Sequence, residues 1–234
     1  MGYKKKQAKI FQEMEKAFKK GVVRTTIVEM MANYAHDDQV CLTNVCFIPK
    51  PFTKTIQEKI IKPLKKADAS QYFYPSPSLH ITVQGIRTIH KPPIFNQTDI
   101  KKVKKAFSEI IPHYSPINFE IQGILELPTS LFLKVFPDKK FQDLVLKLRK
   151  ILEKIGLPDD KVYFSKNIVL ANISFCRYTQ TPNQLFKKQV KKLKNVKIGQ
   201  FKANKIHLIT TNAVCHPGKT VIIKTFNLGE RFKI

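Results

Sequence analysis

The feature that most constrains this chain is a repeat in the order of its elements. From residue 40 the apolar pattern runs strand, helix, strand, helix, strand, and from residue 130 it runs the same way again. "VCLTNVCFI" (40–48) is an apolar, β-branched strand closed by Pro49 and Pro51. A helix over 54–66 follows, with Ile56, Ile60 and Leu64 on one face and Thr55 and Glu58 at capping-box spacing. "LHITVQGI" (79–86) is a strand, 99–111 a helix, and "INFEIQGIL" (117–125) a strand. The second copy has a strand at 130–136 and a helix over 138–155 with Phe141, Leu144, Val145, Leu148, Ile151 and Leu152 at helical spacing. A strand at 168–175 comes next, then a helix opened by Thr181-Pro182 with Gln184 completing a capping box. Strands at 204–211 and 220–226 close it. His80 lies 40 residues after Val40, and Asn172 lies 42 after Ser130. Duplication of one α+β unit, about 40–125 and 130–228, is the reading these matched slots support.

The 234 residues suffice for one sizeable domain or two small lobes. No apolar run approaches the roughly 20 residues that span a bilayer. Residues 1–36 read as two helices broken at Gly21, with Ile10, Met14 and Ala17 on one face of the first. We therefore expect a basic helical arm over 1–39 and a bilobal domain over 40–234. The N-terminus lacks the apolar core of a secretory signal, and Lys6 stands where myristoylation wants Ser or Thr. A cytoplasmic monomer is expected, and the sequons at Asn96 and Asn172 then carry no glycan. Cys41, Cys46, Cys176 and Cys215 form no C-x-x-C pair and read as buried free thiols. The six histidines show no metal-ligand spacing, and His36-Asp37-Asp38 reads as a loop or helix-end cap rather than a cation site. No metal and no cofactor is expected.

Net charge is +25, from 42 basic and 17 acidic residues. Such a potential attracts polyanions, nucleic acid first and an anionic membrane second. Lys101, Lys102, Lys104 and Lys105, and the stripe Lys187, Lys191, Lys194, fit either an RNA footprint or ordinary solvated helix faces. A membrane-surface adaptor acting through the N-terminal arm is a third, weaker reading.

Within a strand, residues i and i+2 share a face. His80 and Thr82 therefore project together, and so do Asn172 and Ser174. Facing one another across a groove, they suit phosphoryl chemistry. Imidazoles supply an acid and a base, hydroxyls donate to non-bridging oxygens, and no metal is needed. Singly, each residue has a plainer role. His80 can be a hydrogen-bonded core histidine, and Arg177 a surface charge. His207 can be a strand residue rather than a second imidazole of the site. Tyr72, Phe73 and Tyr74 can stack on bases or merely pack a loop.

"HITV" (80–83) and "NISFCR" (172–177) resemble the paired motifs of the two-histidine (2H) phosphoesterases, the 2′-5′ RNA ligase-like and cyclic phosphodiesterase branch. The family signature is two copies of His-apolar-Thr/Ser-apolar. "HITV" matches the first fully; the second matches except at Asn172, and at Cys176 where that branch has Ala. The stretch before "SLHITV" and the strand and long helix of 126–157 are also similar. The resemblance covers about residues 40–228. It implies antiparallel sheets lining a central cleft with helices outside, and a catalytic set of His80, Thr82, Asn172 and Ser174. It also implies a substrate contact from Arg177, with Tyr74 the aromatic candidate beside it. The ligand implied is RNA or a nucleotide with a terminal or cyclic phosphate. Asn172 departs from the pattern, because an amide takes up no proton near neutral pH. Two outcomes stay open: a weakened phosphodiesterase, or a binding protein that keeps the cleft without turnover.

Overall fold

The protein is described by a computed structural model covering residues 2–23 and 25–230. The outer ends of the two expected segments, Met1 and residues 231–234, lie outside the described residues. Helix α1 spans Tyr3–Lys19. Then follow β1 (Val40–Phe47), α2 (Lys50–Ile56), a π-helical turn at Gln57–Ile61, α3 (Lys62–Ala67), β2 (Tyr72–Phe73) and β3 (His80–His90). The middle of the chain supplies α4 (Gln97–Ser108), β4 (Ile117–Leu127), β5 (Ser130–Pro137), α5 (Lys139–Lys154) and β6 (Ala171–Arg177). It ends with α6 (Gln184–Leu193), β7 (Lys197–Ala203), β8 (Lys205–Thr211) and β9 (Val221–Asn227).

The strands form two antiparallel sheets, ordered β3-β1-β8-β9 and β2-β6-β5-β4-β7. In both, the motif strand (β3 or β6) lies beside the strand that opens its own copy (β1 or β5). The third position is filled from the other half of the chain, by β8 in the first sheet and β4 in the second. The two copies of the repeat, 40–125 and 130–228, therefore exchange strands, and each sheet draws on both. The physical reason is the two-residue link Pro128-Thr129, which puts Leu127 opposite Ser130. So short a link joins only antiparallel neighbours, so β4 pairs with β5.

Several helix starts also differ from expectation. The second helix begins at Lys50, with Pro51 in its first turn, so Thr55 is interior and donates to the Pro51 carbonyl at 3.0 Å. Pro63 has no N–H for the ladder, and just before it the Lys62 N–H reaches back five residues to Gln57, giving the π turn. The cap of α6 is Asn183, whose Oδ1 accepts from the Phe186 N–H at 2.9 Å, in place of Thr181. Asn96 and Asp99 form a capping box at α4 that was not anticipated. His36-Asp37-Asp38 is the end of a short turn, and Asp38 pairs with Lys91 and Lys219.

The main core lies between the helices and the sheet faces carrying Leu42, Ile81, Leu133, Ile173 and Phe175. The N-terminal arm is one helix, not two; past Gly21 the described chain is extended up to the turn at Tyr34–His36. Nor does α1 hang free. Phe11 and Met14 pack on Leu125, Phe132 and Phe136 of the second sheet, with Phe11 edge-on to Phe136 at 5.5 Å. Phe132 pairs with Ser174, so α1 covers part of the same sheet face that carries the second motif. The apolar stripe that a membrane adaptor would need is thus already buried. Among the described residues, no helix is long and apolar enough to cross a membrane. Phe11 is 3% exposed, so Phe11→Ala should destabilise the fold by about 3 kcal/mol. Urea unfolding checks this, and a loss below about 1 kcal/mol would mean that α1 is not docked.

Candidate active site

β3 and β6 approach one another from the two sheets and border a cavity of about 210 Å³. Thr82 and Gly85 of β3 and Asn172, Ser174 and Arg177 of β6 line it. Pairing to β5 sets the second group, with Ser130 opposite Arg177, Phe132 opposite Ser174 and Lys134 opposite Asn172. Asn172 is exposed, while Thr82, Ser174 and Arg177 are half-buried. Among the described residues, the Thr82 and Ser174 hydroxyls and the Asn172 amide make no side-chain hydrogen bond, which leaves them free for a ligand. Arg177 donates from Nε to the Tyr74 hydroxyl at 3.1 Å. Tyr74 is 1% exposed and donates onward to the Ala213 carbonyl at 3.4 Å. Its ring is therefore closed to a ligand, and the expected substrate contact is corrected to a support for Arg177.

His80 is half-buried and does not line the cavity itself, although it shares the β3 face of Thr82. Its Nδ1 lies 2.8 Å from the Ser78 carbonyl, so Nδ1–H donates there. The Cys215 thiol lies beside the ring and interacts with it. Burial alone would push the imidazole down. The neighbouring Cys215 sulfur and the Ser78 carbonyl outweigh burial and hold His80 above its ordinary pKa. Burial likewise pushes the Cys215 thiol up, but His80, Thr220 and Thr211 bring it below its usual range. Cys215 has a left-handed backbone, φ 51°, which turns its side chain in toward the sheet. It is 2% exposed.

His207 is not at the cavity. Val45 of β1 pairs with both Thr82 and His207, which places His207 two strands from β3, about 10 Å away. Its Nδ1 bonds the Thr225 hydroxyl at 2.9 Å, its ring packs on Phe47, and burial lowers its pKa.

The sequence reading missed the segment 158–168, which also lines the cavity. Asp159 accepts from Gln84 and from the Tyr163 hydroxyl. Arg149 donates to Gln84 at 3.1 Å and lies 3.8 Å over the Tyr163 ring. Residues of the N-terminal extended stretch cross beside it, with the Val162 N–H donating to the Thr26 hydroxyl at 3.1 Å. No hydrophobic period marks such loops, and only the "PDD" at 158–160 hints at a turn.

No protein-family model matches the chain, and no curated protein matches it. Solved structures do. TT0787 of Thermus thermophilus is 14% identical with a TM-score of 0.57, over 82% of this chain and 98% of that one. A phosphoesterase is 11% identical at 0.58, over 82% and 99%. Escherichia coli LigT complexed with phosphate is 11% identical at 0.55, also over 82% and 99%. LigT has further been solved with 3′-AMP, ATP and NADP+. The chain thus has the α+β, two-sheet fold of these phosphoesterase-like structures.

Replacing Cys215 with alanine removes a partner that favours the charged imidazole. The titration midpoint of His80, followed by its ring-proton resonance against pH, should fall. A midpoint that stays or rises would refute the coupling.

Proposed function

We propose that the chain is a phosphodiesterase of the 2H type, acting on RNA or nucleotide 2′,3′-cyclic phosphates and slowed by Asn172. The observation that carries this reading is the convergence of Thr82, Asn172, Ser174 and Arg177, from two equivalent strands, on one cavity. In the reaction a water oxygen attacks phosphorus and one ribose P–O bond breaks. The proton for the departing ribose oxygen comes from His80, which shares the β3 face of Thr82 just outside the lining and whose surroundings raise its pKa; the ring has to turn toward the ligand to deliver it. Thr82, Ser174 and Arg177 hold the non-bridging oxygens. The attacking water must lose a proton, and Asn172 can orient that water through its amide oxygen but cannot accept the proton. It goes to solvent instead, at a cost of roughly 10² to 10⁴ in rate, or about 3–5 kcal/mol.

A second reading is favoured by one observation: among the described residues no histidine lines the cavity, and His207 stands two strands from β3. In that case the cleft binds RNA ends or nucleotides without turning them over. The ligands recorded for LigT, phosphate and 3′-AMP among them, support a phosphate-bearing occupant under either reading.

Asn172→His should raise hydrolysis of a 2′,3′-cyclic nucleotide by roughly 10² to 10⁴, and the gain should vanish in a His80→Ala background. A wild type already as fast as the variant would mean that another group supplies the second proton transfer. A folded variant that binds nucleotide and stays inert would leave the binding reading standing. For either reading, affinity for single-stranded RNA should fall with salt, with a logarithmic slope of about −0.7 per phosphate contact. A flat salt response measured by fluorescence anisotropy would exclude RNA.

A further inference from the structure

The cavity holds a cation that neither motif contributes. Lys161 lies among its lining residues, and its stem runs beside β3, with Cδ 3.7 Å from where a side chain on Gly85 would begin. Its ammonium is within electrostatic reach of His80 and Cys41 on the first sheet and of Arg177 on the second. Charges from both lobes thus meet around one side chain. Among the described residues, no carboxylate lies within ion-pair distance of that ammonium. Asp159 accepts from the Lys161 backbone N–H at 2.9 Å, and its other oxygen is held by Gln84 and Tyr163. The loop is therefore anchored while the charge it carries is left unpaired. His80, Lys161 and Arg177 form a cationic cluster that the chain does not itself neutralise. Lys161 is exposed as a residue, but the crowding of its ammonium by protein atoms lowers its pKa, and Arg177 adds to that against the pull of Asp159, Cys41 and Asp160.

We propose that Lys161 is a phosphate-binding residue of this site, carried into the cleft by the Gln84–Asp159–Tyr163–Arg149 network to grip the ligand's anion together with Arg177. This rests on the phosphate-ligand reading above and adds a residue that the paired motifs do not include. Lys161 is a point charge on a flexible stem, suited to a terminal phosphate that shifts as a bond breaks. Gln84, on the motif strand itself, ties the loop to β3, so the cation keeps its place relative to Thr82.

The test is calorimetric binding of 3′-AMP, adenosine and inorganic phosphate to wild type, Lys161→Met and Lys161→Arg, at matched thermal stability. Lys161→Met should lose roughly 10- to 100-fold in affinity for 3′-AMP and phosphate, leave adenosine unchanged, and be largely rescued by Lys161→Arg. In the wild type, phosphate should also slow acetylation of Lys161 relative to that of Lys101. If Lys161→Met binds 3′-AMP as the wild type does and phosphate gives no protection, the inference falls and the nucleotide reading stands. Phosphate binding that depends on Lys161, with no binding of 3′-AMP, would keep the residue's role and overturn the nucleotide reading. A wild type that binds none of the three overturns both.

Discussion

The cleft depends on two ladders that join the halves of the chain. β8 pairs with β1 from Cys41–Thr211 to Val45–His207, and β4 pairs with β5 from Phe119–Pro137 to Leu127–Ser130. Each ladder sits in the middle of its sheet, one strand away from the motif strand. Pulling the two halves of the chain apart would break both central ladders rather than bend a linker. That is why two motif strands with no continuous connection can hold side chains against one cavity. The ladders fix each motif strand within its own sheet, and the packing of β3 against β6 places the two relative to one another.

Charge is distributed unevenly at that site. No Asp or Glu lines the cavity among the described residues, and Asp159 beside it is used to fasten a loop. Arg149 pairs with that carboxylate at 3.8 Å, but Arg177 is bonded to a tyrosine and His80 to a carbonyl. A cavity lined this way favours an anion by default, since an unneutralised positive cluster with restricted solvent is relieved by bringing in negative charge. The +25 net charge adds a long-range pull, but salt screens it within about 8–10 Å. Selection is therefore made inside the cleft.

Much of this was legible in the sequence, and for stated reasons. Alternation along β3 and β6 placed Thr82, Asn172 and Ser174 on shared faces, because a period of two allows nothing else in a strand. The five buried residues of α5 follow helical spacing so cleanly that their face was never in question. Strand exchange was also readable, from the two residues between Leu127 and Ser130, but the repeat suggested lobes cut at the same point as the sequence. Cap positions went wrong where a rival polar residue or an earlier proline started the helix. Residues 25–33, Lys161 and Cys215 were not legible. Each takes its place from long-range contacts with no local period, and nothing near Cys215 in the sequence pairs it with His80. Tyr74 was misjudged because aromatic residues next to a motif look alike whether they face water or the core.

The arm that begins the described chain has one more consequence. Leu125, Phe132 and Phe136 are no more than 8% exposed, and all three pack with Phe11 and Met14. Without α1 they would form a contiguous greasy patch on an open sheet face, the kind of surface that draws copies of a protein together. α1 shields that patch with a helix whose other side carries Lys5, Lys6, Lys9 and Lys16. The arm thus converts an apolar face of the second sheet into a charged one.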